Sequence, residues 1–251
     1  MTALSPSEHR VRISLGAILA CLPLLAPAPA SAGDPGAATV AVQAVTPMAD
    51  GRATVVSCSG VLVAPDIVLT AGHCLDLIAN ASQLAVFTYR DGAPLPRPLG
   101  VAAFARHPGH VVGWRTKPGG PEARQREIAA DLALLRLATP LAEPSPAALG
   151  PGAEGSSTIA GVGSGGERLR RAALSGVRFA SSGGARVGFA TAGARVCGGD
   201  SGGPAFANGE VWGLVAALLR AKAGCGTRIV ATPVDPASEG FLQMKARISA
   251  R

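Results

Sequence analysis

The sequence predicts an all-β protein, on the evidence of its composition and its short apolar runs. The chain has 33 Gly and 20 Pro but only 4% aromatic residues, so we expect an Ala, Val and Leu core with many turns. The apolar runs are bounded by turn residues and are too short for independent helices. They occupy residues 53–56, 60–63, 67–70, 84–89, 132–137, 158–162, 211–219 and 228–232. Such strands with Gly- and Pro-rich connections indicate a barrel or a sandwich.

The remaining segments of the chain carry different signals. The clearest helical pattern comes last, at residues 238–248, where Ser238 can act as the N-cap. The Pro-rich stretch 138–151 is predicted to link two packed halves. Residues 111–126 are polar and contain Gly and Pro, which predicts a surface loop.

The N-terminal residues 1–32 predict a secretory signal peptide. Arg10 and Arg12 precede an apolar run at 13–25, and Ala-Ser-Ala at 30–32 provides a cleavage site. Prolines within the stretch argue against a transmembrane helix, so we expect no stable membrane insertion. The protein is therefore expected to be secreted or periplasmic, with a single domain at 33–251.

The cysteines that follow the signal peptide are even in number. They are Cys58, Cys74, Cys197 and Cys225, and an oxidising compartment predicts two disulfides among three possible pairings. The rival interpretation is a zinc site, but none of the intervals has the C-x-x-C form that zinc sites favour. No metal is therefore expected.

The formal net charge of +7 is modest for a chain of this length. The arginines of the C-terminal half are scattered among Gly, Ser and Ala without interleaved aromatic residues or a nucleic-acid motif. A solvated basic face is therefore favoured over nucleic-acid binding.

Three segments carry residues suited to serine acyl transfer. They read Leu-Thr-Ala-Gly-His-Cys at 69–74, Asp-Leu-Ala-Leu-Leu-Arg-Leu at 131–137 and Cys-Gly-Gly-Asp-Ser-Gly-Gly-Pro at 197–204. The reaction needs a hydroxyl nucleophile, an imidazole that takes and returns its proton, and a carboxylate that orients the imidazole. Ser201, His73 and Asp131 supply one group each.

The glycines on both sides of Ser201 allow a tight turn with positive φ that aims backbone N–H groups at one point. Gly199 and Ser201 would donate those N–H groups to an oxyanion. An ordinary Gly-rich turn is the alternative interpretation of this segment. The presence of the other two segments in the same chain favours the catalytic interpretation.

Other interpretations of these residues are weaker. Residues 199–203 also fit the G-x-S-x-G turn of α/β-hydrolases, but that fold places its His after the Ser, whereas every His here precedes Ser201. His73 alone could be a core residue. Asp131 could cap a strand, yet burying it at the start of an apolar run is costly without a partner. His107 and His110 are predicted to be loop residues.

In this order, the three segments resemble the chymotrypsin/trypsin family of serine proteases over roughly residues 37–251. The resemblance implies two six-stranded antiparallel β-barrels, at about 37–140 and about 150–237, and a C-terminal helix at about 238–249. It also implies that His73 is the general base, Asp131 the orienting carboxylate and Ser201 the nucleophile.

The same resemblance implies the chemistry and the disulfide pairing. Cys58 would pair with Cys74, and Cys197 with Cys225. The expected activity is peptide-bond hydrolysis through an acyl-enzyme, on a protein or peptide substrate, by a monomer without metal or organic cofactor.

Two departures from the family pattern are expected to matter. Members of the family are cleaved before an Ile-Val-Gly-Gly motif, and the amine that this cleavage frees pairs with the Asp that precedes the nucleophile, here Asp200. The motif is absent from this chain. Either another amine or another cation must pair with Asp200, or the oxyanion hole is not formed. A protease-like binding protein or a zymogen is therefore the alternative function.

The second departure concerns substrate binding. Arg195 stands where the family has the base of its specificity pocket, which would disfavour Lys and Arg and favour an acidic or small side chain. Ala216 and Ala217 replace the usual Ser-Trp. Alternatively, Arg195 points to solvent and the pocket is apolar, formed by Leu218 and its neighbours.

Overall fold

The structure is a computed structural model that describes residues 33–151, 155–163 and 166–250. The expected signal peptide lies outside the described residues. None of the helices in the described part of the chain is long and apolar enough to cross a membrane.

The N-terminal half forms a closed antiparallel barrel. Its strands are β1 Thr39–Pro47, β2 Ala53–Ala64, β3 Ile67–Thr70, β4 Leu84–Phe87, β7 Leu99–Arg106 and β8 Ala133–Leu137, and a separate hairpin contains β5 Tyr89–Arg90 and β6 Ala93–Pro94. Around the barrel the order is β1-β2-β3-β8-β7-β4, and β4 pairs with β1. Its core is built from Ala, Val and Leu, as the composition predicts.

The C-terminal half forms the second barrel. Its strands are β10 Gly155–Gly161, β11 Arg170–Ser182, β12 Ala185–Cys197, β13 Pro204–Ala207, β14 Glu210–Leu219 and β15 Cys225–Pro233. The order is β13-β10-β11-β12-β15-β14, and a further pairing of β13 with β14 closes it. The short strand β9 Ala148–Leu149 pairs in parallel with β14.

Two α-helices complete the fold of the described residues. The C-terminal helix α2, Glu239–Ser249, begins at Ser238, whose hydroxyl accepts a hydrogen bond from the Phe241 N–H. It buries Phe241, Met244 and Ile248, the spacing that places side chains on one helix face. The predicted all-β fold of two six-stranded barrels and a C-terminal helix is thus confirmed.

The other helix, α1 Pro121–Ala129, begins within the segment 111–126 that the sequence predicts to be a loop and ends three residues beyond it. It has Pro at its first turn, where the missing N–H costs nothing, and it buries no residue. Without an apolar stripe it leaves no periodic signal in the sequence. Together with a 3-10 turn at Trp114–Thr116, α1 forms a long connection between β7 and β8.

Candidate active site

The pairing of β3 with β8 brings His73 and Asp131 together. His73 lies in the 3-10 turn Gly72–Leu75 after β3, and Asp131 precedes β8 by two residues. The His73 N–H donates to Asp131 Oδ1 at 2.7 Å, and His73 Nδ1 lies 2.6 Å from Asp131 Oδ2. Both side chains are buried, and Asp131 is fully shielded from solvent.

This contact fixes the form of the imidazole. A carboxylate only accepts hydrogen bonds, so His73 Nδ1 is the donor, and in the neutral imidazole Nε2 carries the lone pair. His73 Nε2 is buried and has no hydrogen-bond partner among the described residues. It can therefore take a proton from a hydroxyl that reaches it.

The turn that carries Ser201 is tied to the first barrel. The Ser59 N–H on β2 donates to Ser201 O at 2.8 Å, and the Ser59 hydroxyl donates to Gly199 O at 2.8 Å. At Gly202, where φ is +80°, a Cβ would lie 2.3 Å from Ser59 O and 2.8 Å from Ala71 N. The glycine thus lets the Ser201 turn approach the strand end that leads into His73.

Gly199 adopts a φ of +94°, the positive value predicted for this turn. Within the turn the Asp200 N–H donates to Cys197 O, and the Gly203 N–H donates to Asp200 O. For Gly199 and Ser201, no N–H hydrogen bond is formed within the described ranges. Both N–H groups are therefore available to an incoming acceptor.

The buried carboxylate of Asp200 is balanced by an arginine. Arg170, the first residue of β11, places Nη2 3.0 Å from Asp200 Oδ2 and 3.2 Å from Oδ1. The N–H groups of Gly163 and Cys197 each donate to the same carboxylate at 2.8 Å. Of the possibilities left open by the sequence, the structure therefore shows another cation beside Asp200.

Both disulfides implied by the resemblance are present. Cys58–Cys74 joins β2 to the turn that carries His73, and Cys197–Cys225 joins the end of β12 to the start of β15. Cys58, Cys74 and His73 lie close enough to resemble a metal site. Both thiols are consumed by the disulfide, so these residues do not form one.

A cleft of about 490 Å³ lies beside Ser201. One wall comes from the connection between β7 and β8, and the other from the second barrel. The lining side chains include Trp114, Arg115 and Arg124 from the first wall and Val215, Ala216, Ala217 and Leu218 from the second. A larger cavity of about 820 Å³, beside α1 and Trp212, contains none of the three candidate catalytic residues.

The connection between β7 and β8 contributes residues that the sequence did not single out. Trp114 is buried and meets the His73 ring edge-on, with 6.3 Å between ring centroids. The His110 side chain, predicted to belong to a loop, is only 1% exposed and lies beside Asp131. Tertiary contacts alone bring these residues to the site, and no local motif marks them.

Arg195 lies on β12 as an exposed residue and does not line the cleft. Leu218, from the alternative interpretation, does line it. Arg115 and Arg124 are instead the basic residues that line the cleft.

Comparison with known proteins gives a family match and several structural matches. The family described as Trypsin matches residues 34–239. No curated protein sequence matches the chain significantly.

The solved structures similar to the chain include three proteases or protease paralogues. HL collagenase has a TM-score of 0.61 at 17% identity, with 86% of this chain and 96% of that chain covered. A scabies mite inactivated protease paralogue, S-I1, has 0.60 at 19%, covering 88% and 100%. The active form of the Rv3671c protease from M. tuberculosis has 0.56 at 19%, covering 85% and 82%. At these identities the likeness extends to the fold alone.

Proposed function

Because the chain belongs to the trypsin family, we propose that it is a serine endopeptidase that hydrolyses peptide bonds through an acyl-enzyme. The observation that carries this proposal is the buried His73–Asp131 pair, in which His73 Nε2 is left free. The two disulfides and the trypsin-like domain suggest an extracellular or secreted protein.

In the proposed reaction, Ser201 Oγ attacks the carbonyl carbon of the scissile bond while His73 Nε2 takes the hydroxyl proton. Asp131 holds the imidazole in place and stabilises the imidazolium. The N–H groups of Gly199 and Ser201 bind the oxyanion. His73 then gives the proton to the leaving amine as the peptide bond breaks. A water molecule, deprotonated by His73, attacks the acyl carbon, the bond to Ser201 Oγ breaks, and His73 returns the proton to Ser201 Oγ.

The ion pair of Arg170 with Asp200 supports an oxyanion hole that exists without N-terminal activation. A positive charge supplied by β11 does what a new chain terminus would otherwise do for this carboxylate. The alternative function is that of a protease-like binding protein, because the scabies mite paralogue S-I1, which shares the fold, is an inactivated protease. Turnover distinguishes the two functions.

The walls of the cleft support a preference for an acidic side chain in the substrate. Arg124 is paired with Glu127 at 2.9 Å, whereas Arg115 makes no ion pair with the described acidic residues. A guanidinium that lines the cleft without an ion-pair partner among the described residues can bind a substrate carboxylate in two hydrogen bonds. In this proposal Arg115 has the substrate-binding role that the sequence predicted for Arg195.

Hydrolysis of an unfolded protein substrate by wild type and by Ser201→Ala tests the proposed function. We expect Ser201→Ala to lose turnover by a factor on the order of 10⁶, because the nucleophile is gone. Ser175→Ala, on the exposed face of β11, is the matched control and should keep wild-type turnover. Equal activity of wild type and Ser201→Ala would contradict the proposal.

A further inference from the structure

A second imidazole lies against the buried carboxylate of Asp131. The His110 Nδ1 atom is 3.6 Å from Asp131 Oδ1, within ion-pair range but beyond a hydrogen bond. The other ring nitrogen, His110 Nε2, is 2.8 Å from Asp76 Oδ1. Asp76, His110, Asp131 and His73 therefore form a continuous chain of acidic and imidazole side chains.

The His110 ring fits beside Asp131 because residue 72 has no side chain. A Cβ on Gly72 would lie 2.7 Å from His110 Nδ1 and 3.1 Å from its Cγ. The backbone at Gly72 does not have a positive φ, so its conformation alone does not require glycine. The role of Gly72 is to make room for this ring directly before His73.

Asp76 anchors the ring from the other side. Asp76 Oδ2 accepts the Gly113 N–H at 2.8 Å, and the Asp76 N–H donates to His73 O at 3.3 Å. Burial alone would raise the pKa of Asp76, but the hydrogen bonds from His110 and Gly113 and the two nearby imidazoles lower it. Asp76 is thus an ionised acceptor, so His110 Nε2 carries the proton of that hydrogen bond.

The Asp131 carboxylate needs support from outside the pair that it forms with His73. Both of its hydrogen bonds come from His73 itself, one from the backbone and one from the ring. A carboxylate held only by the residue that it orients can rotate or shift together with that residue. In the described part of the chain, His110 is the other side chain within ion-pair range of Asp131.

We propose that His110, fixed by Asp76 and seated against Gly72, is a positioning residue that holds Asp131 in place and thereby orients His73. The inference rests on the proposed function for its effect on turnover, but not for its effect on the resting protein. The ring acts by its position, because the hydrogen bond to Asp76 keeps it packed against Asp131. A ring without that bond can shift, which lets Asp131 move and weakens the bond from His73 Nδ1. A small displacement of this kind lowers kcat and leaves substrate binding unchanged.

The test compares His110→Phe with wild type in the full chain. Phe keeps the ring volume but has neither nitrogen atom. His107→Gln is the matched control, because Gln keeps an acceptor for the Gly109 N–H that His107 Nδ1 accepts. We expect kcat to fall roughly 10- to 100-fold with KM within about twofold, at an unchanged melting temperature. Asp76→Asn keeps one acceptor oxygen for the His110 ring but loses the charge and the bond from the Gly113 N–H, and it should cause a smaller fall in kcat.

A proton NMR spectrum gives a readout that does not require turnover. The His73 Nδ1 proton should resonate at low field in wild type and in His107→Gln, and should move upfield or disappear in His110→Phe. An unchanged resonance and unchanged kcat in folded His110→Phe would overturn the proposal. A wild-type spectrum without the low-field signal would also overturn it, because the His73–Asp131 bond would not be as inferred. If neither wild type nor any variant hydrolyses peptides, the proposed function fails. The His73 Nδ1 resonance then still tests whether His110 positions Asp131.

Discussion

Asp200 is only 5% exposed, and three groups contact its carboxylate. Two backbone N–H groups and the Arg170 guanidinium converge on its carboxylate. Charge-assisted hydrogen bonds to several donors hold such a group more firmly than one contact would. Asp200, which precedes the proposed nucleophile Ser201, is thereby held in place, and we expect this to fix the direction of the Gly199 and Ser201 N–H groups.

Two neighbouring arginines allow a sharp test of this arrangement. Arg170 pairs with Asp200, whereas Arg171 pairs with Asp34 at 2.5 Å, where both side chains are about half exposed. We expect Arg170→Gln to lower kcat/KM by on the order of 10²- to 10³-fold, the effect of losing an oxyanion donor. It should also lower the free energy of unfolding by about 1–3 kcal/mol, because a buried acceptor loses its cation.

Arg171→Gln is the control for that change, since an exposed ion pair contributes at most about 1 kcal/mol. Its kcat/KM should stay close to wild type. Peptide hydrolysis and chemical denaturation of both variants provide the measurements. Equal kcat/KM for the two variants would show that the charge on Arg170 does not support the oxyanion hole.

At the scale of elements, the connection between β7 and β8 does more than join two strands. Gln125 of α1 donates from Nε2 to Ala180 O and Ala185 O at 2.9 Å, and the Thr232 hydroxyl donates to Ile128 O at 2.6 Å. These bonds attach the connection to the second barrel. Trp114 and Arg115, which precede α1, are thus held as one wall of the cleft.

Charge reversal at Arg115 tests the role of this wall in specificity. In Arg115→Glu, the carboxylate would face a substrate carboxylate, and like charges across a contact are strongly unfavourable. We expect kcat/KM for peptides with an acidic residue near the scissile bond to fall about tenfold or more. Peptides with neutral residues there should be affected much less.

Arg195→Glu makes the same charge change at the exposed position outside the cleft. A peptide library assayed on both variants measures the preference. If Arg195→Glu shifts the preference and Arg115→Glu does not, the original assignment of Arg195 to the pocket is right.

The elements also show what the sequence could and could not predict. Strands such as β3 and β8 were predicted because nearly every residue is buried, which gives an uninterrupted apolar run. β11 was missed, since only Leu174 and Val177 of its residues are buried, and its place depends on backbone pairing with β10 and β12. The helix α1 was missed because it has no apolar face.

At the scale of the whole molecule, the candidate site lies where the two barrels meet. The first barrel supplies His73, Asp131 and His110, and the second supplies Ser201 and Gly199. The sequence singled out His73, Asp131, Ser201 and Gly199 as candidates, because each lies in a short motif of neighbouring residues. His110 and Arg170 could not be predicted, since each meets its partner across more than 20 residues of chain and no local pattern marks either.

The most direct test of the account is active-site titration with a serine-directed fluorophosphonate. The sample is the folded protein with the chain before Gly33 left uncleaved, and Ser201→Ala is the control. We predict one label per molecule on Ser201 without any cleavage, because Arg170 already balances Asp200 and His73 Nε2 has no hydrogen-bond partner among the described residues. Labelling that requires prior N-terminal cleavage, or no labelling of the folded protein, would contradict it.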